Sequence, residues 1–312
     1  MRVAIIGCGR VGSSIAFTLI QRRIASKITL VDINKERAEG EVLDLLHGAS
    51  FFPPTQIIAG DYDACADANV IILAAGLARK ANESRLDLAK KNILLAKEIA
   101  YNLSSINRHA VYLVVANPVD IYTYVILKTA GLLSSQVIGM GTVLDTTRFR
   151  YLLARRFKLD SHHVHGYILG EHGAGAVPIW SRTNIAGIPI DEYCKETGIE
   201  FSDGFKRKIF QEVLDSGKEV IAKKGATYYA IALATVHVLE TILRETNSIL
   251  SVTTLWERGF LGISDNVCMS IPTVLGKQGR KKVLTTTLAK TEEKALQNSS
   301  KKLREVLSNE GF

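Results

Sequence analysis

Apolar residues along this chain alternate between two periods. Residues 2–6 (Arg-Val-Ala-Ile-Ile) form a short apolar run, and a helical repeat follows to about Arg22, with Ile15, Ala16, Leu19 and Ile20 on one face. Further strands are predicted at Ile28–Val31, Gln56–Ala59, Asn69–Ala74 and Val111–Val115. Helical patterns lie between them, over about Lys35–Gly48 and Ser84–Ser104. The run after Asn69 is apolar throughout, as expected of a parallel strand covered on both faces. Strand and helix in regular alternation to residue 140 predict a Rossmann-type doubly wound parallel sheet, an α/β fold.

Beyond residue 140 the pattern changes. A helix is predicted from Asp145 to about Phe157, a strand over 163–169, and a helix from about Ala226 to Arg244. Strands near 248–255, 267–275 and 282–286 and a lysine-rich amphipathic helix from about Thr291 to Leu307 complete an α+β half. The expected division is 1–141 for a dinucleotide-binding domain and 142–312 for a substrate domain. No Pro/Gly-rich linker separates them, which predicts a broad shared contact.

Composition narrows the class. With 312 residues, 47% of them hydrophobic, the chain can bury a large core. Met1 leads directly into the first strand and no apolar run approaches the roughly 20 residues of a membrane span, so a cytoplasmic protein is expected. Its four cysteines are scattered without a CxxC pair, which signals neither a zinc site nor a disulfide framework. A net charge of +8 suits anionic small molecules. Nucleic acid is not expected, since no basic patch is interleaved with aromatics, and the densest cluster, Lys277–Lys282, reads as a solvated turn.

The candidate chemistry begins at Gly7-Cys8-Gly9-Arg10-Val11-Gly12, between a strand and a helix, with Asp32 ending the next strand 20 positions after Gly12. Glycines here permit a tight turn and close approach of backbone N–H groups to a pyrophosphate. The helix N-terminus adds positive potential, and the acidic residue takes the ribose hydroxyls. A carboxylate would repel a 2′-phosphate, so NAD is expected rather than NADP. Loops at 7–12, 32–37, 75–85 and 116–120 all leave carboxyl ends of strands and should converge on one crevice. The loop after Gly76 carries Arg79 and Arg85, as a lid bringing charge onto a bound anion would. His172 lies between glycines in Gly170-Glu171-His172-Gly173 and is the candidate acid/base. Asp145 and Arg148, three apart, share a face of the helix that Asp145 opens.

Taken together these segments resemble the lactate/malate dehydrogenase family, and most closely its bacterial L-lactate branch. The similarity runs end to end through Glu83-Ser84-Arg85-Leu86-Asp87-Leu88, Asn117-Pro118-Val119-Asp120, Leu144–Arg150, Gly170–Gly173 and Lys224-Gly225-Ala226-Thr227-Tyr228-Tyr229. The resemblance implies that His172 exchanges the proton with the substrate oxygen, that Asp145 orients it, and that Arg85 polarises the carbonyl. Arg148 would hold the substrate carboxylate in a two-point fork, while Asn117 and Thr227 would line the pocket. Cofactor contacts are implied at Gly7, Gly9, Val11, Gly12, Asp32, Arg37, Tyr62, Gly76 and Asn117.

Two further points follow from the resemblance. Position 79 usually carries glutamine in lactate enzymes of this type and arginine in malate enzymes, so Arg79 departs from the lactate pattern and tilts the expected substrate toward oxaloacetate and malate, with pyruvate and lactate as the alternative and a bulkier 2-keto acid as a third. Ala81-Asn82 also replaces the usual Pro-Gly in this loop. Arg150 and His165 match the pair that binds fructose 1,6-bisphosphate between subunits, which implies a homo-oligomer, tetramer or dimer. Three rival readings are weaker. A metal site among His162, His163, His165 and His172 fails because the spacing alternates across a strand. Tyr124 and Lys128 have the YxxxK spacing of short-chain dehydrogenases without that family's glycine pattern. A catalytically silent NAD-binding protein would have no need of His172, Asp145, Arg85 and Arg148 together.

Overall fold

The computed structural model describes residues 1–77, 85–256, 259–263 and 266–312, with residues 85–89 described by their backbone alone. The first half runs β1 (Arg2–Ile6), α1 (Arg10–Arg22), β2 (Lys27–Val31), α2 (Lys35–His47), β3 (Gln56–Ala59), β4 (Val70–Leu73), α3 (Arg85–Ile106), β5 (Val111–Val114), α4 (Val119–Ala130) and β6 (Val137–Gly139). Its strands are parallel in the order 3-2-1-4-5-6, as the alternating pattern predicts. Strands β4 and β5 are buried at every position because helices cover both faces. Helix α1 buries the predicted face, Ile15, Ala16, Leu19 and Ile20. Helix α4 is buried nearly all round, which requires the apolar run Ile121–Leu127.

The second half runs α5 (Val143–Phe157), β7 (Val164–His165), β8 (Ile168–Gly170), β9 (Ala176–Pro178), β10 (Asn184–Ile185), β11 (Ile188–Pro189), α6 (Ile190–Glu196), α7 (Asp203–Lys224), α8 (Tyr229–Leu243), β12 (Ile249–Leu255), β13 (Cys268–Gly276), β14 (Gly279–Val283) and α9 (Lys290–Asn309). Thr253 of β12 pairs antiparallel with Gly139 of β6, so one sheet passes through both halves. Helices α1 and α8 pack together across the same junction.

Three expectations need correction. The strand over 163–169 is two short strands in different sheets: β7 pairs β10, while β8 pairs β13 and β9. The chain changes sheets at Gly166, where a Cβ would stand 2.8 Å from the Phe149 ring. The basic segment at Lys277–Lys282 is a hairpin turn followed by β14, not a turn alone, and the Arg280 guanidinium reaches inward to the Leu255 carbonyl at 3.0 Å. Helix α7 is absent from the sequence reading although its signals are present. Ser202 caps it by accepting from the Phe205 N–H, and Gly225 ends it in the left-handed conformation.

Candidate active site

Where the strand order reverses, the loops after β1 and β4 meet. Gly7 has φ +98°, and a Cβ on it would lie 2.5 Å from the Ala75 nitrogen, so only glycine fits. A Cβ on Gly12 would collide with the Gly7 carbonyl oxygen, which lets α1 start directly against the turn. Gly9 differs: a methyl there would meet no protein atom within 4 Å. Its glycine is therefore not required by the protein's own packing. Freedom from side chain at that point fits a pyrophosphate lying on the backbone at the start of α1.

A cleft of about 500 Å³ gathers Gly7, Gly9, Asp32, Arg37, Tyr62 and Gly76. Asp32 immediately follows β2 with both oxygens anchored, accepting from the Cys8 N–H at 2.7 Å and from the Asn34 N–H at 2.9 Å. Each oxygen keeps a lone pair for a ribose hydroxyl. Ile33 beside it is fully exposed and offers an apolar platform. Burial and the Glu98 charge push the Tyr62 phenol up, so it stays a neutral hydrogen-bonding group. The residues present fit a dinucleotide.

A second cavity, about 320 Å³, brings together Val11, Asn117, Asp145, Arg148, His172 and Thr227. These come from α1, the β5–α4 loop, α5, the loop after β8 and the loop before α8. His172 Nδ1 lies 2.6 Å from Asp145 Oδ2, and Arg148 Nη1 donates to Asp145 Oδ1 at 3.0 Å. Asp145 sits in the first turn of α5, only 6% exposed. Burial would push its carboxyl up, but the charges and hydrogen bonds of His172 and Arg148 prevail and hold it below the ordinary range. Burial would likewise push the His172 imidazole down; Asp145, with a further contribution from Asp120, overrides this and holds it above the ordinary value. With Nδ1 occupied by Asp145, Nε2 is left for chemistry.

Part of the wall comes from residues that sequence reasoning did not single out. Helix α7 contributes Leu214, Gly217, Lys218 and Ile221, a consequence of the missed helix. A Cβ at Gly217 would come within 3.8 Å of Arg148 Nη2, so this helix packs closely over the guanidinium. Asp120 was visible only as one letter of a motif. It is buried and accepts from the His172 backbone N–H at 2.7 Å.

Other candidates lie elsewhere. Arg79 and the Arg85 side chain fall outside the described residues; the Arg85 backbone begins α3. Arg150 Nε donates to the Gly166 carbonyl at 3.0 Å, its guanidinium lies 5.2 Å from the Tyr167 ring centroid, and His165 is exposed on β7. Tyr124 is buried in the core with Lys128 Nζ 5.3 Å from its ring, a packing arrangement.

Comparison with known proteins identifies the family. Residues 1–139 match the lactate/malate dehydrogenase NAD-binding domain, and residues 142–311 match the lactate/malate dehydrogenase alpha/beta C-terminal domain. The chain is 45% identical over 306 residues to an L-lactate dehydrogenase of Thermoanaerobacter sp. (strain X514), covering 98% of both. It is 44% identical over 308 residues to L-lactate dehydrogenase 1 of Clostridium acetobutylicum, covering 99% of this chain and 98% of the other. Among solved structures, the minor L-lactate dehydrogenase of Enterococcus mundtii superimposes with a TM-score of 0.94 at 36% identity, over 99% of this chain and 98% of that one.

Proposed function

The chain belongs to the lactate/malate dehydrogenase family and is an NAD-dependent oxidoreductase of a 2-hydroxy acid, and we propose that His172, Asp145, Arg148 and Arg85 carry its reaction. The observation that carries this reading is the His172–Asp145–Arg148 cluster inside one cavity with Asn117 and Thr227. We take residues 1–141 as the NAD-binding unit and 142–312 as the substrate unit.

When bound, NAD supplies or accepts the hydride at the substrate carbon. Nε2 of His172 gives a proton to the carbonyl oxygen in reduction and takes it back from the hydroxyl in oxidation. The adjacent Asp145 carboxylate stabilises the charged imidazole and fixes which nitrogen bears the exchanging proton. Arg148 holds the substrate carboxylate. One end of its guanidinium is already on Asp145, so the remaining N–H donors, beside Gly217, serve the substrate. Arg85, whose backbone begins α3, would polarise the carbonyl. Gly7, Gly9, Val11, Gly12, Asp32, Arg37, Tyr62, Gly76 and Asn117 hold the cofactor.

For the substrate we favour oxaloacetate and malate, because of Arg79. An enclosed guanidinium facing the methyl of pyruvate would stay unpaired, costing roughly 3–5 kcal/mol, whereas oxaloacetate brings a second carboxylate to it. A second reading, pyruvate and lactate, is favoured by the relatives, which carry the name L-lactate dehydrogenase. NADH oxidation with each keto acid, by the wild type and by Arg79→Gln, separates them. An oxaloacetate preference of about 10²-fold or more that Arg79→Gln abolishes supports the first; a pyruvate preference establishes the second. No turnover of any 2-keto acid, with NAD binding intact, would favour a silent NAD-binding protein instead.

Arg150 and His165 are proposed as an effector site for fructose 1,6-bisphosphate in a homo-oligomer, tetramer or dimer. The exposed apolar residues Leu43, Phe51, Ile221, Tyr229 and Leu233 are consistent with self-association. Activity and assembly measured with and without the bisphosphate test this. A cytoplasmic location is proposed from the four buried free cysteines; among the described residues no helix is long and apolar enough to cross a membrane.

A further inference from the structure

Behind His172 runs a buried polar chain that the mechanism above leaves unused. The His172 backbone N–H donates to Asp120 Oδ2 at 2.7 Å, and the Thr253 hydroxyl donates to Asp120 Oδ1. Thr253 Oγ1 lies 3.3 Å from Ser270 Oγ, which in turn accepts from the Thr142 backbone N–H at 2.9 Å. Thr142 immediately precedes α5, the helix that carries Asp145 and Arg148. The chain therefore leads from the peptide of the histidine to the helix bearing its partner, independently of the imidazole–carboxylate contact. A branch strengthens the far end: the Ile168 N–H donates to Thr146 Oγ1 at 3.0 Å, and Thr146 Oγ1 lies 2.9 Å from Ser251 Oγ.

All four members are almost fully buried: Asp120 3%, Thr253 0%, Ser270 0% and Thr142 0% exposed. Close backbone approach makes room for them. Gly141, with φ +46°, would place a Cβ against both the Ser270 and Thr253 hydroxyls. A buried carboxylate is costly unless it is satisfied, and a neutral side chain would serve if packing were the only need. The segment that Asp120 holds is poor in intrinsic order. Gly170 and Gly173 are both at positive φ, and β8 ends at Gly170. Backbone anchors on this loop are the Glu171 N–H to Ser299 Oγ, at 3.0 Å, and the His172 N–H to Asp120.

We infer that Asp120 is a positioning residue for His172, and that the Asp120–Thr253–Ser270–Thr142 chain keeps the histidine's peptide in register with the N-terminus of α5. The geometry is also electrostatic. Burial pushes the Asp120 carboxyl up to about 7, opposed by the hydrogen bonds from Thr253 and the His172 N–H and by the His172 charge. The other ionisable groups acting on Asp120 and His172 are Glu171, the buried Cys268 thiol, Asp145 and Arg148. An ionised Asp120 thus favours the protonated imidazole from the backbone side.

The inference rests on the proposed role of His172, so its test has a readout that needs no turnover. The His172 ring, assigned by comparison with His172→Gln, is titrated by NMR in the wild type, Asp120→Asn and Thr253→Val, alongside thermal unfolding and steady-state kinetics. Asp120→Asn keeps an acceptor for the N–H but loses the charge. Thr253→Val keeps the carboxylate but cuts its link to α5 and leaves it half-satisfied. Both should shift the His172 titration downward and lower kcat about tenfold with KM within about twofold, since small misplacement of a reacting group is amplified in rate. Folded variants with wild-type titration and kcat would overturn the inference, as would lost thermal stability with the titration unmoved. If Asp120→Asn fails to fold, an unmoved titration in Thr253→Val overturns it alone. If the wild type reduces no 2-keto acid, the functional reading fails, while the titration still decides the positioning role.

Discussion

Replacing Asp145 by Asn removes one charge and almost no volume. In the wild type, Asp145 Oδ2 is 2.6 Å from His172 Nδ1 in a site where the carboxylate is 6% exposed. A charge-assisted hydrogen bond of this kind contributes about 1.5–3 kcal/mol. That stabilisation falls almost wholly on the protonated imidazole, the form that the proposed mechanism uses to reduce a keto acid. Without it, burial becomes the main influence on His172 and its titration moves down, so a smaller fraction is protonated at neutral pH. The amide can also present its NH₂ to Nδ1 and select the wrong tautomer. Together these effects amount to about 3–4 kcal/mol, or a fall of roughly 10²–10³ in kcat/KM. The assay is NADH oxidation across a pH series, with thermal unfolding to confirm the fold. A variant within about tenfold of wild type at neutral pH, with an unmoved profile, would refute the assignment of Asp145 as the group that holds the proton on His172.

Two glycines of the same loop should respond in opposite ways. Gly12→Ala forces a methyl into the Gly7 carbonyl and should cost about 2–3 kcal/mol of stability, read by urea unfolding. Gly9→Ala meets no protein atom and should leave stability within about 0.5 kcal/mol, yet weaken NADH binding about tenfold or more by fluorescence titration. Stability should also depend on pH through the buried pair. The lowered Asp145 contributes above its ordinary value near 4 and loses that contribution as pH falls through its folded value; the raised His172 contributes below about 6.5 and loses it as pH rises through its folded value. The stability gap between wild type and His172→Gln should therefore be largest between about pH 4 and 6.5, and a gap that grows steadily with pH would contradict the pairing.

Much of this fold was legible because its strands and helices are strongly periodic. The apolar runs at 2–6 and 28–31, the glycines between strand and helix, and the distance to Asp32 all reflect local requirements of the β1–α1–β2 unit, and the structure has each in place. His172, Asp145 and Arg148 could be named from their motifs because each motif keeps its own backbone geometry, and the structure brings all three into one cavity. What failed to show was non-local. The break at Gly166 depends on the approach of Phe149, a partner 17 positions earlier, and alternation alone cannot show that β7 and β8 belong to different sheets. Helix α7 was passed over because its buried face is narrow, with only Ile209 and Val213 fully covered. Asp120 lies in the first turn of α4, where an acidic residue is ordinary, and its meaning appears only when Thr253, far along the chain, donates to it.

The most direct test of the account is the pH dependence of kcat/KM measured in both directions on the same protein. In the proposed mechanism, keto acid reduction needs His172 protonated and hydroxy acid oxidation needs it neutral. The two profiles should be mirror images, reduction falling and oxidation rising through one shared pKa that lies above the ordinary histidine value. Profiles that run in the same direction, or that persist unchanged in His172→Gln, would contradict the assignment of His172 as the residue that carries the proton.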